Sequence, residues 1–243
     1  MRGRSLALAG GVASLVALAW ARPWRYRPCP SELLDEVLPD YQFQDSVSVE
    51  VAADPRRVMR AVRDLRLRDM RVAWLLGEAR YLPGRLTGHA IPADPDQPFL
   101  ALVRETTSTV VLAERPEELA LGTVGRLHDL TDQAPQPLTG ARSFREFRLP
   151  GFEKLAMSIR VSGLGPDRAR ITLEHRTQAL GLLTRLRFGL YWLVIKPVGA
   201  IVTWQMLRAI GRIAAQPQAE PTNGSTDGPE IAELVRDLEA SFV

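Results

Sequence analysis

The chain has 243 residues, 46% hydrophobic and 24% charged, an ordinary globular balance that excludes a mainly disordered chain and argues against a polytopic membrane protein. A net charge of +3 does not mark a nucleic-acid binder: five arginines and no acid fall in the first 28 residues, and the remaining 26 basic residues face 28 acids. A duplex binder needs a basic stripe on its folded domain, so no nucleic-acid partner is expected.

The chain opens on Arg2 and Arg4, then runs apolar from Leu6 to Ala21. Roughly 16 helical residues at ~1.5 Å each reach ~24 Å, short of a ~30 Å hydrocarbon core. Two readings stand. Ala19-Trp20-Ala21 has the small-x-small pattern of a signal cleavage site. Trp20, Trp24 and Tyr26, interleaved with Arg22, Arg25 and Arg27, suit the headgroup zone of a helix that stays. The first makes the protein secreted. The second makes it a single-pass membrane protein, with Leu6, Leu15, Trp20 and Trp24 against lipid. Residues 1–28 are therefore anchor or signal, and arginines on both flanks leave the orientation open. Cys29 is the single cysteine, so no intramolecular disulfide forms.

Residues 29–215 read as one folded domain. "SELLDEVLPDY" is a short amphipathic helix with Ser31 as its cap. From Asp45 to Ala53 the pattern alternates, Val47, Val49 and Val51 on one face and Ser46, Ser48 and Glu50 on the other, as in a half-buried strand. Asp54 then caps a helix with Pro55 at its first position. "RDMRVAWLLGEARYL" predicts a second helix, ending near Pro83-Gly84. A β-rich stretch follows: two strands joined by a turn at Arg115 to Glu118, a candidate strand in "ARSFREFRL", and a hairpin turning at Gly163, Gly165 and Pro166. One hairpin arm aligns Leu155, Met157, Ile159 and Val161; the other aligns Ile171, Leu173, His175 and Thr177.

"RFGLYWLVIKPVGAIVTWQML", Arg187 to Leu207, is nearly continuous apolar sequence. Lys196-Pro197 lies inside it, where a membrane span would suffer a buried charge and a missing backbone hydrogen bond. A core helix reaching about Ala215 is the better reading. Leu186, Leu190, Val194, Pro197, Ile201, Met206 and Leu207 are expected to form its stripe over the sheet. Val202 to Gln205, "VTWQ", would leave an unusually apolar outer face, through Trp204 packing on a loop or through contact with a membrane or partner.

This order, together with the phrases "LLDEVLPDY", "VSVEVAADPRRVMRAVRDLRLRD", "VLAERPEELALGTVGR", "FREFRLPGFEKLAMSIRV", "RITLEHRT" and "RFGLYWLVIKPVGAIVTWQMLRAIGR", resembles the START-like (SRPBCC) superfamily, in its bacterial polyketide-cyclase/dehydrase-like branch. The resemblance spans roughly Leu33 to Arg212. It implies an α+β helix-grip fold, a curved antiparallel sheet wrapped around a long C-terminal helix, here preceded by an N-terminal apolar helix. It also implies an internal cavity for a lipid, polyketide or similar hydrophobic molecule. Trp74, Leu121, Thr123, Met157, Ile159, Leu173, His175 and Tyr191 are the residues expected to line it.

The chemistry-bearing residues are few. His89, His128 and His175 have no metal-ligand spacing, and no cofactor is expected. His128 stands beside Asp129 and near Asp132, a pairing that could serve as a base or lie solvated at a strand end. His175 shares the phase of Ile171 and Leu173, so it either orients a ligand or is a core histidine satisfied by a neighbour such as Tyr191. There is no GxSxG elbow, and Glu114, Glu117 and Glu118 flank a turn as solvated groups. Residues 216–229 are a flexible linker by composition. In residues 230–243, Ile231, Leu234, Val235, Leu238 and Phe242 share one face of a helix that should dock on its own domain or on a protein partner.

Three functions fit: a membrane-tethered binder of a hydrophobic small molecule or lipid, a cyclase or dehydratase using the same cavity, or a scaffold acting through its C-terminal helix.

Overall fold

The computed structural model describes residues 31–71, 73–76 and 94–216. The N-terminal segment with Leu6, Leu15, Trp20 and Trp24, residues 72 and 77–82 of the second expected helix, His89, residues 217–229 of the linker and the C-terminal helix lie outside the described residues.

The elements run α1 (Glu32–Val37), β1 (Phe43–Val51), α2 (Pro55–Asp64), a 3-10 turn (Leu67–Asp69), α3 (Phe99–Thr107), β2 (Val110–Arg115), β3 (Glu118–Gly125), α4 (Ala141–Glu146), β4 (Glu153–Gly165), β5 (Arg168–Ala179) and α5 (Leu182–Ala215). The strands form one open antiparallel sheet in the order β1-β5-β4-β3-β2. This is an α+β helix-grip arrangement, with the long C-terminal helix packed along the sheet.

Local chemistry explains the boundaries. The Ser31 hydroxyl accepts the Leu34 N–H at 3.1 Å, and Asp54 accepts the N–H groups of Arg56 and Arg57, so both expected caps form. Pro55 opens α2 as anticipated. The first strand begins two residues early, at Phe43. The hairpin forms in the expected phase: Met157 lies opposite His175 and Ile159 opposite Leu173.

Two differences from the sequence reading appear here. "ARSFREFRL" is not a strand; Ala141–Glu146 is a helical turn. The Ser143 hydroxyl accepts the N–H groups of Thr139 and Gly140, and Phe144 is wholly buried, so one residue supplies the start signal and one the anchor. α3 has no counterpart among the expected elements, because Phe99–Thr107 carries one fully buried apolar residue, Leu102, and two threonines in its last turn.

The sheet buries both faces. Inward-facing Val47, Leu119, Leu121, Ile159, Val161, Ile171 and Leu173 join α2 and the C-terminal half of α5 in the main core. On the other face α1 and Phe144 cover Leu112, Ala120, Val124, Phe152 and Ala156. At ~1.5–3 kcal/mol for each fully buried aliphatic side chain, these two layers supply the bulk of the folding drive.

α5 is, among the described residues, the helix long and apolar enough to cross a membrane. One side of it packs along β1, β5 and α2. Its buried face is Thr184, Phe188, Pro197, Ala200, Thr203, Met206, Leu207 and Ile210. The expected stripe is therefore half wrong. Leu186, Leu190 and Val194 are 60–71% exposed, because the sheet takes the opposite side of the helix, where Phe188 meets Phe43 at 4.8 Å. Val202 to Gln205 is not an outer face. Trp204 packs on the core under the Arg208 guanidinium, and Gln205 accepts the Ala73 N–H.

Candidate functional site

A partly open pocket of about 170 Å³ lies between the sheet and the N-terminal half of α5. The sheet contributes Asp45, Leu155, His175 and Thr177, with Leu127 from the loop after β3. The helix contributes Phe188, Tyr191, Trp192, Ile195, Lys196 and Gly199. The pocket exists because side-chain size changes along the sheet. Toward the C-terminal end of α5, Leu and Ile residues fill the grip. Near the middle of the helix, beside the pocket, Gly199 adds no side chain, and a Cβ placed there would meet no atom within 4 Å.

The polar groups on the walls are few. Asp45 and His175 are direct cross-strand partners. Burial lowers His175 to about 4, so its imidazole is neutral at physiological pH. Burial also raises Asp45, opposed by the positive charge of Lys196. The Thr177 hydroxyl oxygen is buried and has no hydrogen-bond partner among the described residues. A buried hydroxyl without a partner costs roughly 1–3 kcal/mol.

Of the residues expected to line a cavity, His175 and Tyr191 do so. Leu121, Ile159 and Leu173 are consumed by the filled part of the core, with Met157 packed against it. Thr123 is buried, its hydroxyl donating to the Thr107 carbonyl at 2.6 Å. Trp74 is 43% exposed, and its backbone N–H donates to the Met70 carbonyl. Sequence reading misses Asp45 and Lys196. Asp45 is findable as the charged residue that continues the Val47, Val49, Val51 face. Lys196 registers in the sequence only as an obstacle to a membrane span.

Two further expectations are corrected. His128 does not pair with Asp129. Its Nδ1 meets Glu153 Oε1 at 2.7 Å, and Glu153 Oε2 accepts the Leu127 N–H. Asp129 instead accepts from Thr131 and Asp132 in a local turn. The Glu153 side chain is fully buried, and burial raises its carboxyl against the opposing pull of His128. Glu118 is not solvated. It accepts from Ser31 and Ser158 on the covered outer face, next to a buried Arg176–Glu174 pair that reaches Asp35. This network fastens α1 to the sheet, as the Ser31 N–H also donates to Glu174.

No protein-family model matches the chain, and no curated protein matches it. Among solved structures, a hypothetical protein, jhp0584 from Helicobacter pylori, is 12% identical with a TM-score of 0.39, covering 78% of this chain and 98% of that one. TTHA0849 from Thermus thermophilus is 10% identical with a TM-score of 0.30, covering 71% and 97%. The Zhui aromatase/cyclase from Streptomyces sp. R1128 is 16% identical with a TM-score of 0.29, covering 71% and 96%. Likenesses this distant carry no argument about activity.

Proposed function

We propose that this chain is a START-like helix-grip protein that binds a hydrophobic small molecule, held near a membrane by its N-terminal apolar segment. The observation that supports the binding reading most is the partly open, mainly apolar pocket with His175 on its sheet wall and Lys196 on its helix wall. Apolar burial supplies affinity, and these two groups fix orientation. At about 170 Å³, the pocket compares with an engineered cavity of ~150 Å³ that takes benzene. It suits one ring or one short alkyl end carrying a hydroxyl or carbonyl, with the rest of a larger lipid or polyketide outside.

A second reading is an enzyme of the cyclase or dehydratase kind. It is favoured by Asp45 and His175 on the sheet wall facing a pocket that Lys196 closes from the helix, since carboxylates and imidazoles with displaced pKa values in a cleft, here Asp45 and His175, are acid/base candidates. His175→Ala separates the two: a carrier keeps its ligand, whereas an enzyme loses turnover far more than affinity.

The direct test of the pocket is Gly199→Leu. The new side chain enters open space, so the fold should persist while the pocket closes. Native mass spectrometry after exposure to a lipid extract should show adducts on the wild type and none on the variant. Adducts retained on a folded Gly199→Leu protein would remove the pocket from consideration.

A further inference from the structure

Half of the large exposed apolar side chains among the described residues lie on one element. Leu182, Leu183, Leu186, Leu190, Leu193 and Val194, all on α5, are 59–74% exposed. At 3.6 residues per turn they fall within an arc of about 120°, opposite the face that walls the pocket. A soluble surface rarely leaves such a stripe bare. The helix that carries it has Arg185, Arg187, Lys196, Arg208 and Arg212, and no acid over its 34 residues.

The same chain contains a segment of matching character. Residues 230–243 carry Glu230, Glu233, Asp237 and Glu239 against the single Arg236, and place Ile231, Leu234, Val235, Leu238 and Phe242 on one helical face. We propose that residues 230–243 dock as an antiparallel helix on the exposed stripe of α5. Their lengths agree: 14 helical residues span ~21 Å, and the stripe from 182 to 194 spans ~18 Å. The linker agrees too. From 216 back to 194 is ~33 Å along α5, within the ~43–47 Å that the 13 residues 217–229 can reach when extended. A parallel arrangement would require ~51 Å, beyond that reach. Each partner also lacks what the other supplies: so short a helix is marginal alone, and opposite charges flank two apolar faces. A second copy of the stripe is a poorer occupant, because it would set Arg185 and Arg187 against the same arginines. Docking braces the half of α5 that forms the pocket wall. It requires only the stripe and the tail, whether or not the pocket is occupied.

The test uses the full chain with Cys29→Ser. Leu190→Cys combined with Leu234→Cys should cross-link within one chain through a short bismaleimide. The rate should not depend on protein concentration and should exceed that of Glu114→Cys with Leu234→Cys by at least about tenfold, as effective concentration predicts. Arg185→Glu with Arg187→Glu should slow the reaction, and adding Asp237→Arg with Glu239→Arg should restore it. A rate equal to the Glu114→Cys control overturns the proposal. So do cross-links that appear only between chains, which assign the stripe to a second copy. A fluorophore attached through Leu190→Cys that is buried only on phosphatidylglycerol vesicles, with no intrachain cross-link, assigns the stripe to a bilayer surface and also overturns the proposal.

Discussion

Two side chains of the pocket carry measurable consequences for stability. His175 is neutral in the fold because burial holds it near 4, while in the unfolded chain it titrates near ~6.5. The unfolded state therefore binds the extra proton between these values. Stability from this group is complete above about pH 6.5, falls as pH drops toward 4, and is lost below it. At about 1.4 kcal/mol per pKa unit the loss is roughly 3 kcal/mol at most. His175→Leu should flatten denaturant-midpoint measurements across this window. Buried Glu153, with its raised carboxyl, acts in the opposite direction above its unfolded value, so it does not mimic the effect. Thr177→Val removes the orphaned hydroxyl at nearly constant shape. It should raise stability by about 1 kcal/mol. A thermal melt that falls instead would show that the hydroxyl is satisfied within the folded protein.

Single glycines of α5 record where the helix touches and where it does not. A Cβ at Gly211 would approach Val51 Cγ1 at 2.5 Å, whereas one at Gly199 meets nothing within 4 Å. Gly199→Ala should gain about 1 kcal/mol from helix propensity alone. Gly211→Ala gains the same propensity but forces an overpacked contact that costs about 1–3 kcal/mol, so its net effect is destabilising, and Val51→Ala in that background should recover most of the loss. Chemical denaturation of the three variants checks both signs. This contrast also explains what is legible in the sequence. The caps of α1 and α2, the β4–β5 hairpin and the existence of α5 follow from local chemistry, and all are readable. Which side of α5 faces the sheet does not follow, because apolar residues occur around its whole N-terminal half. Leu186 and Leu190 fit a stripe as well as Phe188 and Ile195 do. α4 misleads for a related reason: its six residues are too few to show a period, although Ala141, Phe144 and Phe147 lie three apart, and the Ser143 hydrogen bonds that make it a turn leave no long-range pattern.

At the scale of the whole molecule, the fold is visible because its element order is long and three of its four strand pairings join consecutive strands. The pocket is only partly visible. The strand phase of His175 is readable, but the place where the core stops being filled depends on Gly199 and on the helix rotation, neither of which has a periodic signature. The partner of His128 is invisible, since Glu153 lies 25 residues away and only the β3–β4 pairing brings it near. Pro197 within α5 has a further consequence. Proline offers no N–H, so the Leu193 carbonyl loses its helical partner and the hydrogen-bonded ladder is interrupted there. On the C-terminal side, Met206, Leu207 and Ile210 are locked into the main core. On the N-terminal side, one face rests on the pocket and the other is exposed. The two halves should therefore exchange their amide hydrogens on separate clocks. Residues 199–214 should be protected to nearly the global unfolding free energy and residues 186–196 far less, with the step at Pro197. A uniform protection profile along α5 would mean that one continuous helix opens as a unit. A step would mean that the pocket wall can loosen while the body of the protein stays folded, giving a guest a way in without global unfolding.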